Sequence, residues 1–295
     1  MPNNAARLPE PKTAGQRFFT RHGLADLFPR AASALALMAA AFFSVWQGGL
    51  VFDLIWLAAS MAVAYEWQGL IAAPRLRLRQ ALVCLALVLA AFFVEKTQFG
   101  GAWAILTAAA AFAAVAAGAE RRVWAFGGAL YAGVFFNALS FLERSPEYGA
   151  GCILWLFAVV WGTDVFAYFG GRLIGGAKLC PRISPAKTWS GTLTGVTIGA
   201  ILGALVALIT GQMTEGWFFP LFVEGFVVAS VSQAGDIYES WIKRHFGVKD
   251  SSRLIPGHGG FMDRLDGFIA ATVFVALFGT RLGGGSIMRG LFGWF

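Results

Sequence analysis

Apolar residues run along this chain in long blocks, and polar residues are confined to the short stretches between them. The blocks lie near 31–47, 50–73, 80–94, 101–118, 123–142, 149–171, 191–210, 217–235 and 262–280. About 20 apolar residues in a helix cross a hydrocarbon core of about 30 Å. The pattern therefore predicts an all-α, polytopic integral membrane protein with about nine transmembrane helices. The blocks at 80–94 and 262–280 are short or polar at one end. The spans between 80 and 142 are rich in Ala, Leu and Phe with almost no internal charge, which reads as scaffold. No inverted-topology repeat of the transporter kind is visible.

The connections set the orientation. With the N-terminus in the cytoplasm, nineteen Lys and Arg fall on the cytoplasmic side and four, Lys96, Arg144, Arg281 and Arg289, on the other. This follows the positive-inside rule, and one span more or fewer would scramble it. Two cytoplasmic connections are long, 172–190 and 236–261, and both are rich in Gly, Pro and charge. Connections of that length are functional or disordered in compact domains. The chain divides into a cytoplasmic segment 1–30, a transmembrane scaffold 31–148, a catalytic transmembrane region 149–281 carrying both long loops, and a tail 282–295.

Composition agrees. Hydrophobic residues make up 58% of the 295 residues and charged residues 13%, with a mean hydropathy of +0.66. Soluble domains are about 25% charged, so most soluble enzymes, coiled coils and disordered chains are excluded. The net charge of +7 and pI of 9.7 read as membrane topology, and no nucleic-acid partner is expected. Cys84, Cys152 and Cys180 have neither CxxC spacing nor a nearby His, and read as apolar fillers. The polar first 30 residues lack the apolar core of a secretory signal.

The polar residues inside or beside the blocks carry the chemistry, and they form three clusters. Asp164 interrupts the sixth block, and an ionisable group there is expensive unless it faces a polar interior. It is either a functional group or a hydrogen-bond partner of a neighbouring helix. Behind it come Gly170 to Lys178 and then Ser184-Pro185-Ala186-Lys187-Thr188. Glycines let backbone N–H groups approach an anion, and Lys, Ser and Thr add donors. The Walker A spacing is absent, and a basic loop held by anionic lipid is the plainer alternative.

In the second cluster, Gln233, Asp236, Ser240 and Lys243 fall on one stripe of a helix continuing the eighth block, with Glu239 beside them. Ile237, Trp241 and Ile242 keep the other side apolar, so the stripe is more than a solvated face. The third cluster is Lys249-Asp250 followed by Ile255-Pro256-Gly257-His258-Gly259-Gly260-Phe261-Met262-Asp263-Arg264-Leu265-Asp266. Here a Gly-rich turn enters a helix whose free N–H groups suit phosphate. Asp263 and Asp266 can face one point, and oxygen ligands without a Cys or His cage favour Mg²⁺ over Zn²⁺. The helix dipole alone would account for one of these acids. All three clusters lie at the cytoplasmic ends of their spans. Glu66, between Tyr65 and Trp67, reaches the same depth and either joins the site or sits in the interfacial belt, the second being the plainer reading.

Taken together, the run Ser240-x-Ile242-Lys243-Arg244-x4-Lys249-Asp250-x-Ser252-x2-Ile255-Pro256-x-His258-Gly259-Gly260-Phe261-x-Asp263-Arg264-Leu265-Asp266 resembles the signature of the phosphatidate cytidylyltransferases, or CDP-diacylglycerol synthases. Asp164-x2-Ala167-Tyr168-x2-Gly171-Arg172 and Ser184-Pro185-x-Lys187-Thr188 look like the same family. One departure is Ser190 before Gly191, where the family often has Glu.

The resemblance implies CTP + phosphatidate → CDP-diacylglycerol + pyrophosphate, for phospholipid biosynthesis. It implies an enzyme in the inner (cytoplasmic) membrane, with its site facing the cytoplasm. It implies Asp236 and Asp263 as paired carboxylates of a Mg²⁺ centre, with K⁺ as a candidate second ion and Asp164 in support. Asp236, Asp263, Asp266 and Lys243 then form the catalytic group. Ser184, Lys187, Thr188, Ser240, Arg244, Lys249, His258, Gly259, Gly260 and Arg264 would hold the substrates. Expected partners are CTP, phosphatidate and the bilayer, with a homodimer as one assembly it allows. Two other readings stand beside it: a cytidylyltransferase for another lipid phosphate, and a transporter of a phosphorylated solute.

Overall fold

A computed structural model describes residues 21–145, 149–210, 218–255 and 259–282, with side chains described over 31–278 of these. Nine helices occur among them: α1 (Arg21–Gln47), α2 (Gly49–Leu70), α3 (Leu76–Glu95), α4 (Phe99–Ala117), α5 (Arg122–Glu143), α6 (Gly149–Leu173), α7 (Trp189–Ile209), α8 (Phe218–His245) and α9 (Met262–Leu282). The seven from α2 to α8 are long and apolar enough to cross a membrane. In α1 the apolar part, Ala31–Gln47, is shorter, and α9 opens on Asp263, Arg264 and Asp266. The chain is thus a polytopic, essentially all-α membrane protein. The short third block extends into a full span as α3. The eighth runs past residue 235 to His245, so the stripe from Gln233 to Lys243 is helical as expected.

The loop 172–190 holds structure that its glycines and prolines concealed. Strands β1 (Lys178–Cys180) and β2 (Ser184–Thr188) pair antiparallel, with Lys178 opposite Thr188 and Cys180 opposite Ser184. The hairpin ends where the Thr188 side chain accepts a hydrogen bond from the Gly191 N–H at 3.1 Å, capping α7.

Two features hold the bundle. The α6–α7 pair packs through glycines, one per turn of α7: Gly191, Gly195 and Gly199 lie against the α6 backbone from Val159 to Gly171, and Gly203 against the side chains of Trp155 and Val159. Without apolar solvent exclusion to drive association inside a bilayer, small residues that let backbones approach supply the contact. At the centre, Trp56, Phe135, Phe157 and Phe268 join α2, α5, α6 and α9. The Trp56–Phe268 ring centroids lie 5.4 Å apart and the Phe157–Phe268 centroids 5.3 Å apart. The span α5 is therefore a central element of the bundle, and it is the most buried of the seven.

Polar locks close both ends. The α2–α3 corner is tied by Arg79, which donates to Gln68 Oε1 at 2.5 Å, Ala73 O at 2.8 Å and Pro74 O at 2.9 Å. Arg79 is fully buried, so it is a structural clip. At the opposite end Arg144 pairs with the buried Asp53 and, at 3.0 Å, with Glu95, while Ser140 donates to Asp53 at 2.7 Å. Removing one partner of a buried pair strands the other charge, so Arg144→Ala is expected to cost about 3 kcal/mol. A lowered thermal midpoint in detergent would register it.

Candidate active site

The site lies at the end of the bundle where α2, α6 and α8 finish and α7 and α9 begin. A cleft of about 1310 Å³ opens there, with Asp164, Asp236, Asp263 and Asp266 all on its walls. The three clusters, up to a hundred residues apart in sequence, therefore converge. The helices do this by alternating direction, so that every second end meets at one membrane face.

One relay runs across three elements. On α6, Asp164 Oδ1 accepts from Gln233 Nε2 of α8 at 3.1 Å. The Gln233 Oε1 accepts from Lys187 Nζ of β2 at 3.0 Å. Lys187 Nζ then lies 2.7 Å from Asp236 Oδ2, and Ser240 Oγ donates to Asp236 Oδ1 at 3.3 Å. The β-hairpin thus delivers Lys187 to a carboxylate one turn along the stripe from Gln233. Gln233 was legible as a stripe member but not as the link that aligns Asp164 with Lys187. Asp164 is a hydrogen-bond partner of a neighbouring helix and also lines the cleft.

A second, tighter group surrounds Asp263. Lys243 Nζ lies 2.6 Å from Asp263 Oδ1 and 2.6 Å from Glu239 Oε2. Asp263 also accepts from the Ser251 N–H at 3.0 Å, the Ser251 hydroxyl at 3.0 Å and the Gly260 N–H at 2.8 Å. Three donor types fix this carboxylate at the first turn of α9. Gly259 makes the approach in a left-handed conformation, φ +83°, which favours glycine.

Several expected binding residues fall elsewhere. Arg244 Nη1 donates to Val248 O at 2.8 Å and closes the end of α8, off the cleft wall. Lys249 is exposed and Ser184 sits in β2, and neither forms part of the wall. Ser240 acts on Asp236 rather than on the open cleft. Thr188 lines the cleft while capping α7, and Arg264 lines it on α9. His258 lies outside the described residues, together with Pro256 and Gly257. Ser190, where a Glu was anticipated, donates to the Gly175 carbonyl and lies 3.2 Å from Thr188 Oγ1, so it ties the glycine turn to α7.

Glu66 overturns the belt reading. It is 2% exposed and accepts from Ser252 Oγ at 2.6 Å, Met262 N at 2.7 Å, Phe261 N at 2.9 Å and Ser251 Oγ at 3.1 Å. Tyr65 beside it is exposed. The signal was available, because Glu66, like Asp164, is a carboxylate among apolar residues.

The arrangement alternates charge: a lysine rests on each of the two outer carboxylates. Among the described residues no group of three or more Asp, Glu, His or Cys side chains is gathered as a metal cage. In chemistry, however, the donors suit a hard cation, since the acids on the wall offer oxygen alone and ammonium groups already rest against Asp236 and Asp263.

Sequence comparison gives the class. The cytidylyltransferase family matches residues 28–281, and the chain belongs to that family. Among its relatives, the phosphatidate cytidylyltransferase of Brucella abortus (strain 2308) is 37% identical over 271 residues, which covers 91% of this chain and 99% of the relative. That of Brucella suis biovar 1 is 38% identical over 258 residues, covering 87% and 94%. That of Helicobacter pylori is 43% identical over 140 residues, covering 48% and 50%.

Proposed function

We propose that this chain transfers the cytidylyl group of CTP to phosphatidate, giving CDP-diacylglycerol and pyrophosphate, at the cytoplasmic face of the inner membrane. The observation that carries the reading is the shape of the cleft. One continuous cavity has a charged end, with Asp164, Lys187, Asp236, Lys243 and Arg264, and an apolar flank formed by Leu37, Met38, Trp56, Ala59 and Trp161 of α1, α2 and α6. A ligand that fits both ends is a phosphate headed by charge and tailed by hydrocarbon. At about 1310 Å³ the cavity exceeds the roughly 300–1,000 Å³ of an ordinary single-ligand pocket, which leaves room for a nucleotide as well.

The chemistry asks for a phosphatidate oxygen to attack the α-phosphorus of CTP as pyrophosphate departs. The nucleophile is already an anion, so a strong base is unnecessary. The difficulty is bringing two polyanions into line. Lys187 and Lys243 lie within the cleft and can turn from carboxylate to phosphate as charge-assisted donors. Arg264 adds a planar fork on the same wall. Asp236 and Asp263, with Asp164 behind them, would hold Mg²⁺, and K⁺ remains the candidate second ion. When bound, Mg²⁺ supplies charge neutralisation and in-line orientation of the phosphates. The lipid tails stay along α1, α2 and α6 while CTP arrives from the cytoplasm.

Purified protein in detergent, given CTP, phosphatidate and Mg²⁺, is expected to release pyrophosphate and form a cytidine-bearing lipid in equal amounts. Omitting Mg²⁺ with a chelator present should abolish both. A different lipid phosphate outcompeting phosphatidate would shift the substrate, and solute uptake into vesicles without pyrophosphate release would overturn the reaction.

A further inference from the structure

Glu66 stands on α2, almost two hundred residues from the segment it holds. Its four acceptances come from one short stretch: the hydroxyls of Ser251 and Ser252, and the first N–H groups of α9 at Phe261 and Met262. Helix N-termini leave N–H groups without intrahelical partners, and here a carboxylate from another helix satisfies two of them. Gly260 leaves the path open, because a Cβ there would meet Glu66 Oε1 at 2.6 Å and would also collide with Ser251 Oγ.

We infer that Glu66 is a positioning residue: it ties Ser251–Ser252 and Phe261–Met262 to α2 and so sets where Asp263 points. The coupling is direct, since Ser251 touches both carboxylates, Glu66 Oε2 at 3.1 Å and Asp263 Oδ2 at 3.0 Å. Glu66 does not itself serve as a ligand to substrate or cation. It is 2% exposed and, unlike Asp263, does not form part of the cleft wall. The α2 half of the molecule thereby controls the geometry of the signature loop. This inference rests on the reading of Asp263 as part of a cation and phosphate site.

The test uses Glu66→Gln, which keeps the shape but turns an NH₂ toward donors, and Glu66→Ala. Arg144→Ala, at the far end of the bundle, serves as a comparison of similar stability loss. Hydrogen–deuterium exchange of the full-length protein in detergent, without substrates, should show at least about tenfold faster exchange at 251–262 in both Glu66 variants, the expected result of freeing capped N–H groups. The same peptide in Arg144→Ala should exchange as in the wild type. In turnover, outer partners of a metal site typically contribute about 10–100-fold, so kcat should fall and the half-saturating Mg²⁺ concentration rise by that order. The KM for phosphatidate, set by the apolar flank, should stay within about twofold, because uniform binding there is untouched. If Glu66→Ala does not fold, Glu66→Gln carries both readouts. Unchanged exchange at 251–262 overturns the clamp. Faster exchange with an unchanged Mg²⁺ dependence reduces Glu66 to a structural role and overturns the inference. A wild type without turnover sinks the cytidylyltransfer reading instead, and the exchange data then decide the clamp alone.

Discussion

Asp236→Asn is expected to lower pyrophosphate release by about 10³-fold or more, equivalent to about 4 kcal/mol of transition-state stabilisation. The folded protein should survive. Asp236 is partly open, and its two oxygens meet Lys187 and Ser240; Asn can keep Lys187 through its carbonyl oxygen while its NH₂ donates to the Ser240 hydroxyl oxygen. What it loses is the negative charge. That charge balances Lys187 before substrates arrive, and in the proposed mechanism it holds the cation once they have. Asp263→Asn should be equally inactive, with a larger loss of stability, because Asp263 also gathers Lys243, Ser251 and Gly260 at the start of α9. The measurement is pyrophosphate release per folded molecule, with folding judged by thermal midpoint. Turnover near the wild-type rate in both variants would remove the carboxylates from the mechanism.

The second large effect concerns the fold. Gly195→Val should abolish recovery of folded protein. A Cβ at Gly195 would collide with the Thr163 carbonyl and lie 2.7 Å from Ala167 Cβ and 2.9 Å from Ala167 N. These are backbone or near-backbone atoms of α6, so no rotamer change relieves them. Overpacking costs about 1–3 kcal/mol where side chains can yield, and more is expected where helices must part. Separating α6 from α7 also moves Asp164 and the hairpin that presents Lys187. Gly127→Val is the matched comparison, since a Cβ at Gly127 meets nothing within 4 Å. Monodisperse Gly195→Val protein with a wild-type thermal midpoint would contradict the packing argument.

These two positions differ in how visible they are from the chain alone. Asp236, Lys243, Asp263 and Asp266 stand out because charge is costly in an apolar segment, and because their spacing forms a stripe or a first turn. Gly195 does not stand out in a chain with 37 glycines. Its meaning comes from α6 lying against it. Glu66 was misread for a related reason. Its immediate neighbours, Tyr65 and Trp67, look interfacial, while its partners Ser251 and Met262 are far off in sequence. Arg79 is fully buried against carbonyls released at the α2–α3 corner, a role that only the packing of that corner reveals. Arg244 and Lys249 belong to the signature by position, yet they point to a helix end and to the exterior.

The sequence by itself determined the membrane class, the approximate span boundaries, the face on which charge gathers and the family. Each follows from local free energies: apolar blocks must enter lipid, charges must avoid it, and a 27-residue signature is read residue by residue. The tertiary structure alone decided which charges meet. Pairing Lys187 with Asp236, Lys243 with Asp263, and Glu66 with a loop almost two hundred residues away depends on how the helices stack and which ends coincide. No local pattern encodes that, because a buried carboxylate is stabilised by whichever donors the packing brings to it.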